Sequence, residues 1–286
     1  MRKHFALALL AAASFAPALA MPAAAGNVTQ EGNGTQLALG DSVPFGYNPL
    51  IVAGGGAGNP NNFIGYPEIV AKALQLDDVN AACPGETSFG FISLTGLDNG
   101  CRPYRHFFPL HVSYTTAQLD YAINFLQTHD RVQLVTMTIG ANDLFKLQSG
   151  CHFVVACEIA GLPATVAAAE ANLRAIYGQI RNVAHYTGDL VTLTYYSTSP
   201  DPLTTLAVSL LNAHLVSATL AYNGKVADGF GAFQVASAPF AGSPCAAGLL
   251  IVTSPGVCDV HPSPKGRDLL AGAVVSSVPD LSAGMH

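Results

Sequence analysis

Residues 132–139 (Val132, Gln133, Leu134, Val135, Thr136, Met137, Thr138, Ile139) are almost unbroken in apolar and β-branched side chains. A strand written this way is buried on both faces, as in the middle of a parallel sheet covered by helices. Shorter runs at 35–39, 79–83, 190–195 and 233–236 are predicted as further strands. Helical patterns lie between them. Leu119, Ala122, Ile123 and Leu126 repeat at i, i+3, i+4 and i+7, and Leu173, Ile176, Tyr177 and Ile180 do the same, with Pro163 read as a first-turn residue. Residues 202–223 and 264–276 also read as helices. Alternating strands and helices predict an α/β fold, a three-layer α/β/α sandwich with a mainly parallel sheet of about five strands.

Composition narrows what such a domain does. Half of the 286 residues are apolar, enough to offset the ordering entropy of a folded core. Only 12 are Lys or Arg and the formal net charge is −6, which argues against a duplex-binding surface and any nucleic-acid partner. The first twenty residues read as a secretory signal peptide: Arg2 and Lys3, an apolar stretch at 5–13, then Ala18-Leu19-Ala20 as a small-x-small cleavage pattern. Residues 21–34 are expected to be a flexible mature N-terminus and 35–286 a single domain. No later run is assigned as a membrane span, so the expected product is a secreted or periplasmic chain, read as a monomer.

Six cysteines, Cys83, Cys101, Cys151, Cys157, Cys245 and Cys258, suit an oxidising compartment. They allow 15 connectivities; pairing of sequence neighbours, Cys83 with Cys101, Cys151 with Cys157 and Cys245 with Cys258, is the expectation. A zinc site is disfavoured, because there is no C-x-x-C and His152 has no second ligand at a suitable spacing. The Gly- and Asn-rich stretch at 47–65, with Gly54-Gly55-Gly56, lacks the lysine of a phosphate loop and is read as a surface loop. Residues 145–161 are read as an excursion stapled by Cys151 and Cys157.

Three fragments bear chemistry. Leu39-Gly40-Asp41-Ser42 follows the first strand, where an open α/β sheet presents reactive groups, although Asp-Ser there is also an ordinary helix cap. Ile139-Gly140-Ala141-Asn142-Asp143 ends the third strand and can bring an amide donor beside the serine. Cys258-Asp259-Val260-His261-Pro262 puts a candidate general base on a late loop. The Gly-X-Ser-X-Gly elbow is absent, and Ser88 does not supply one.

In this order the fragments resemble the SGNH hydrolases, the GDSL-type lipases and esterases, in particular their secreted bacterial branch. Ser42 in Gly40-Asp41-Ser42-Val43 matches the first family block, with Val where Leu is usual. Gly85 in Cys83-Pro84-Gly85-Glu86-Thr87-Ser88 fits the second, Asn142 the third and His261 the fourth. The resemblance implies a flavodoxin-like sheet and a hydrolase of carboxylic esters. It assigns Ser42 as nucleophile, His261 as general base, and an oxyanion hole of the Ser42 and Gly85 N–H groups with the Asn142 amide. No metal or organic cofactor is implied, and the expected substrate is a small-molecule or lipid ester, with peripheral contact to a lipid surface.

One departure stands out. The family's orienting Asp lies three residues before His, where this chain has Cys258, and the nearby carboxylate, Asp259, lies two before. A Ser–His dyad steadied by a backbone carbonyl is the leading expectation, with Asp259 as third member the alternative. Two other functions stay open: a carbohydrate acetyl esterase with the same catalytic residues, and a binding module with a vestigial site. Phe45, Phe63, Phe89 and Phe91 are read as core first and as acyl-site lining second.

Overall fold

The computed structural model describes residues 34–283, so the signal-peptide reading of 1–20 and the flexible segment expected from 21 lie outside the described residues but for Gly34. Five parallel strands, β1 (Thr35–Gly40), β2 (Asp77–Asn80), β3 (Val132–Thr138), β4 (Asp189–Leu193) and β5 (Lys225–Ala227), form one sheet in the order β2-β1-β3-β4-β5. Helices Tyr66–Leu74 and Pro264–Ser277 pack together on one side, and Gln118–Thr128, Val155–Asn182 and Pro202–Leu220 pack on the other. Leu37, Leu39, Leu134, Val135, Met137, Leu190 and Val191 are fully buried between these layers. An antiparallel hairpin, β6 (Leu250–Ser254) and β7 (Val257–Pro262), precedes the helix Pro264–Ser277.

The chain leaves β1 for β2 on one side and then crosses to β3 on the other. The order therefore reverses at β1, and this switch point is where open α/β sheets form their crevice. Gly40 is level with Thr138 across β1 and β3, and Asp41 N donates to Thr138 O at 3.1 Å. On the other flank Cys83 N donates to Gly40 O at 3.0 Å. The loops after β1, β2 and β3 therefore start side by side.

Several expected elements differ. Residues 233–236 belong to the helix Gly229–Ser237, whose N-cap Asp228 accepts from Gly231 N at 2.8 Å, and the fifth strand is the three-residue β5 instead. A four-residue apolar run cannot distinguish a strand from a buried helical turn. Pro163 lies inside the helix Val155–Asn182, which starts two turns earlier than predicted. Residues 47–65 contain the helix Pro49–Ala53 and two 3₁₀ turns, because Asn48 and Asn59 cap Leu50 N and Asn61 N. Residues 145–161 are two helix ends joined by a short turn, with His152 and Phe153 at positive φ.

The helix Pro202–Leu220 is, among the described residues, the one helix long and apolar enough, by length and composition, to cross a membrane. Its apolarity has a local cause. Leu211, Leu215 and Ala218 pack into the core, Asn212 clamps the Tyr195 backbone with two 2.8 Å hydrogen bonds, and the N-terminal turns border a cleft.

Three disulfides are formed: Cys83–Cys101, Cys151–Cys157 and Cys245–Cys258. Bonds of this kind form and persist in oxidising compartments, and they suit an extracellular or periplasmic protein.

Candidate active site

Gly40 makes the sharp exit from β1. Its φ is +129°, and a Cβ there would lie 1.9 Å from Thr138 O, so only glycine lets the two strands stay this close. The buried Gln118 side chain holds it from both sides, accepting from Gly40 N at 2.6 Å and donating to Gly40 O at 3.0 Å. Asp41 then caps the short helix Ser42–Phe45 by accepting from Val43 N at 3.0 Å. Ser42, the first residue of that helix, stays half-exposed at the crevice.

Asp41 is buried below the serine. Its carboxylate accepts from the Tyr195 hydroxyl, and the Asn142 amide nitrogen lies 3.4 Å away. Burial pushes this carboxyl up to about 6, although the Tyr195 and Val43 hydrogen bonds pull the other way. Asp41 makes no hydrogen bond to His261, but the two interact electrostatically, His261 pulling the Asp41 carboxyl down against the effect of burial.

His261 comes from β7, where a loop was expected. The hairpin is closed by Ser254-Pro255-Gly256-Val257, with Gly256 at positive φ, and is fixed by the Cys245–Cys258 disulfide and by the Tyr196 hydroxyl donating to Val260 O at 2.8 Å. His261 Nε2 lies 2.8 Å from Ser42 Oγ. Its Nδ1 contacts Asp259 Oδ1, and the same oxygen accepts from His261 N at 3.0 Å.

The two-residue spacing brings the Asp259 carboxylate to the imidazole. On a strand, residues i and i+2 share a face, so an Asp two before His is already on the imidazole's side. The expected backbone-carbonyl partner for Nδ1 is not the one found; a carboxylate occupies that position. Since Asp259 Oδ1 can only accept, Nδ1 carries the proton and the Nε2 lone pair faces Ser42. Burial would raise the Asp259 carboxyl, but its hydrogen bonds and proximity to His261 hold it below the usual carboxylate range.

Gly85 sits on the loop after β2 at φ +84°. The backbone N–H groups of Ser42 and Gly85 have no acceptor among the described residues. Asn142 is buried in the first turn of the helix Ala141–Gly150; its Nδ2 donates to Glu86 O at 2.9 Å, and its Oδ1 accepts from Asn99 Nδ2 at 2.8 Å. Ser42, Gly85, Asn142 and His261 thus line one cleft, with Tyr47, Asn99 and Tyr104. Ser88 is tied elsewhere, donating from N and Oγ to the buried Asp143 at 2.9 and 2.6 Å.

A second cleft of about 130 Å³ opens on the other side of Ser42 and His261. That is roughly ten times what one water needs on this measure. Its walls are mostly aliphatic, with Leu144 and Leu147 from one helix, Leu162 from the next and Leu203, Ala207 and Val208 from a third. None of Phe45, Phe63, Phe89 or Phe91 lines it; Phe45, Phe63 and Phe91 are core and Phe89 is exposed. Asn99, the place of Tyr195 at the site and the role of these helices as cleft walls were absent from the sequence reading, although two of the helices themselves, at 202–223 and after Pro163, were expected. Tyr195 had a usable signal, since it follows β4 at the same sheet edge; Asn99 had none. Among the described residues, Cys83, Glu86 and Cys101 are the one convergence of metal-type ligands, and the disulfide removes both thiolates.

Many α/β proteins share a parallel sheet with such a crevice, so the fold by itself fixes no activity. A family model described as the GDSL-like Lipase/Acylhydrolase family matches residues 38–269, and the chain belongs to that family. Among solved structures, the chain is similar to phospholipase A1 from Streptomyces albidoflavus NA297, at 20% identity over 87% of this chain and 99% of that one, with a TM-score of 0.55. It is similar to LAE5, an alpha/beta hydrolase from the metagenome of Lake Arreo, Spain, at 18% identity over 87% and 96%, TM-score 0.54. It is also similar to Axe2, an acetylxylan esterase from Geobacillus stearothermophilus, at 17% identity over 86% and 94%, TM-score 0.52. At these identities the likeness is one of fold. Comparison with curated protein sequences gives no match.

Proposed function

We propose that the protein is an exported serine hydrolase that cleaves carboxylic esters with an apolar acyl chain. The observation that carries this is the series Ser42 Oγ, His261 Nε2, His261 Nδ1, Asp259 Oδ1, opening onto an aliphatic cleft. Ser42 Oγ gives its proton to Nε2 as it attacks the ester carbonyl, and Asp259 stabilises the imidazolium that forms. The oxyanion takes hydrogen bonds from the Ser42 and Gly85 N–H groups and from the Asn142 amide hydrogen that otherwise makes only the long 3.4 Å approach to Asp41, each worth about 3 kcal/mol in such sites. Nε2–H then protonates the leaving alkoxide, the alcohol departs, and water repeats the sequence on the acyl-enzyme.

The second cleft suits the acyl chain, and Phe153, Val154, Val155 and Ile159 expose apolar surface beside its walls, which supports contact with a lipid-like substrate. The signal-peptide pattern at the N-terminus and the three disulfides support export. The test is hydrolysis of p-nitrophenyl acetate, butyrate, octanoate and palmitate, with Ser42→Ala alongside. The reading expects kcat/KM to rise from acetate to octanoate and activity to vanish in the variant. An acetate-only profile transfers the protein to carbohydrate deacetylation, and no ester turnover by folded protein transfers it to a binding role.

A further inference from the structure

We propose that Asn99 is a positioning residue of the oxyanion hole, holding the Asn142 carboxamide with its nitrogen towards the site. This rests on the reading of Asn142 as an oxyanion donor. An Asn amide can lie either way round, and its terminal torsion is broad. The Glu86 carbonyl, which can only accept, faces one end of the Asn142 amide at 2.9 Å, and the Asp41 oxygen that already accepts from Tyr195 lies 3.4 Å from the same end. That end is therefore nitrogen. The other end is a buried oxygen that needs a donor, and Asn99 Nδ2 supplies one at 2.8 Å.

Asn99 also reaches the other loop donor. Its backbone N–H donates to Gly85 O at 3.1 Å, and its own carbonyl lies 2.7 Å from where a Cβ on Gly85 would stand. One residue thus touches both residues that complete the hole beside Ser42. The segment that carries it is fixed. The Arg102 guanidinium donates to Leu94 O and Gly96 O at 2.6 and 2.8 Å, Asp98 accepts from Cys101 N at 2.9 Å, and Cys83–Cys101 closes the loop containing Gly85 and Asn99. Without Asn99 Nδ2, the Asn142 oxygen loses its partner, and the amide is held from its nitrogen end alone, by Glu86 O at 2.9 Å and the longer approach to Asp41.

The experiment is a double-mutant cycle on the full chain with its disulfides formed, read as kcat and KM on p-nitrophenyl butyrate. Asn142→Ala is expected to lower kcat by about 10²–10³-fold. Asn99→Ala is expected to lower kcat by at least about tenfold with KM within about threefold, as for a loss felt in the transition state. If Asn99 acts through Asn142, the double variant is no worse than Asn142→Ala within about threefold. Asn99→Asp, nearly isosteric but with an acceptor aimed at the Asn142 oxygen, is expected to lose more than Asn99→Ala, whereas a space-filling role predicts less. Asn99→Ser serves if the alanine variant does not fold, with the same expected pattern. Losses that multiply in the double variant, or wild-type kcat in Asn99→Ala, overturn the proposal. Unchanged kcat in Asn142→Ala overturns it by removing the oxyanion reading itself, so the two failures are told apart.

Discussion

Asp259→Asn separates a triad from a dyad. In the wild type one oxygen, Oδ1, receives both the His261 backbone N–H and Nδ1. An asparagine keeps its carbonyl oxygen there, because the backbone N–H demands an acceptor. The tautomer therefore survives, and the variant loses the negative charge opposite the imidazolium. Two charges about 4 Å apart are worth about 4 kcal/mol at an effective dielectric constant near 20. The side chains of His261 and Asp259 are 13% and 26% exposed, so solvent screening reduces this to about 2–3 kcal/mol. At 1.36 kcal/mol per decade that is a kcat loss of about 30- to 150-fold. Asp259→Ala also frees the ring and is expected to lose about 10³-fold or more. The assay is steady-state hydrolysis of p-nitrophenyl butyrate at pH 8, with KM followed separately. If Asp259→Asn stays within a few-fold of wild type, Asp259 does not act on His261 in the transition state and the dyad is correct.

Stability should fall as pH rises through neutrality. Burial raises the carboxyls of Asp41, Asp78 and Glu86 to about 6, 7 and 8. The folded chain thus keeps protons that the unfolded chain releases near 4, so this stabilisation is complete below about 4 and is lost through pH 6–8. Glu170, drawn down to about 2 by Arg174, His214 and Ser217, and Asp259, also lowered, act oppositely and lose their contribution on acidification below about 4. The melting temperature is therefore expected to peak at mildly acidic pH; a steady rise from pH 5 to 9 contradicts these assignments. In the acyl cleft, Ala207→Phe adds a ring between Leu203 and Leu211. It should cut kcat/KM on octanoate by about tenfold or more while leaving acetate within about twofold; equal losses on both place the acyl chain elsewhere.

The buried strand at 132–139, the serine after β1 and the late histidine were legible because each depends on local pattern: a β-branched run, a glycine turn, a short motif. The hairpin under His261 was also written in the chain, as Ser254-Pro255-Gly256-Val257, a Pro-Gly pair at the central positions that favour a type II turn. Reading that turn would have put Asp259 and His261 on one strand face and favoured the carboxylate partner. The fifth strand was missed because three residues carry too little periodicity to outweigh the more apolar run at 233–236. The aliphatic cleft and Asn99 could not be read from local pattern. The cleft is assembled from helices far apart in sequence, and the role of Asn99 depends on Asn142, 43 positions away.

The proposed chemistry requires Ser42 to be the one activated serine. Full-length protein treated with a fluorophosphonate ester, then digested and mapped by mass spectrometry, tests this directly. The expected result is a single adduct on the peptide containing Ser42, lost in Ser42→Ala and strongly slowed in His261→Ala. An adduct on another serine, or undiminished labelling and ester hydrolysis in Ser42→Ala, would contradict it.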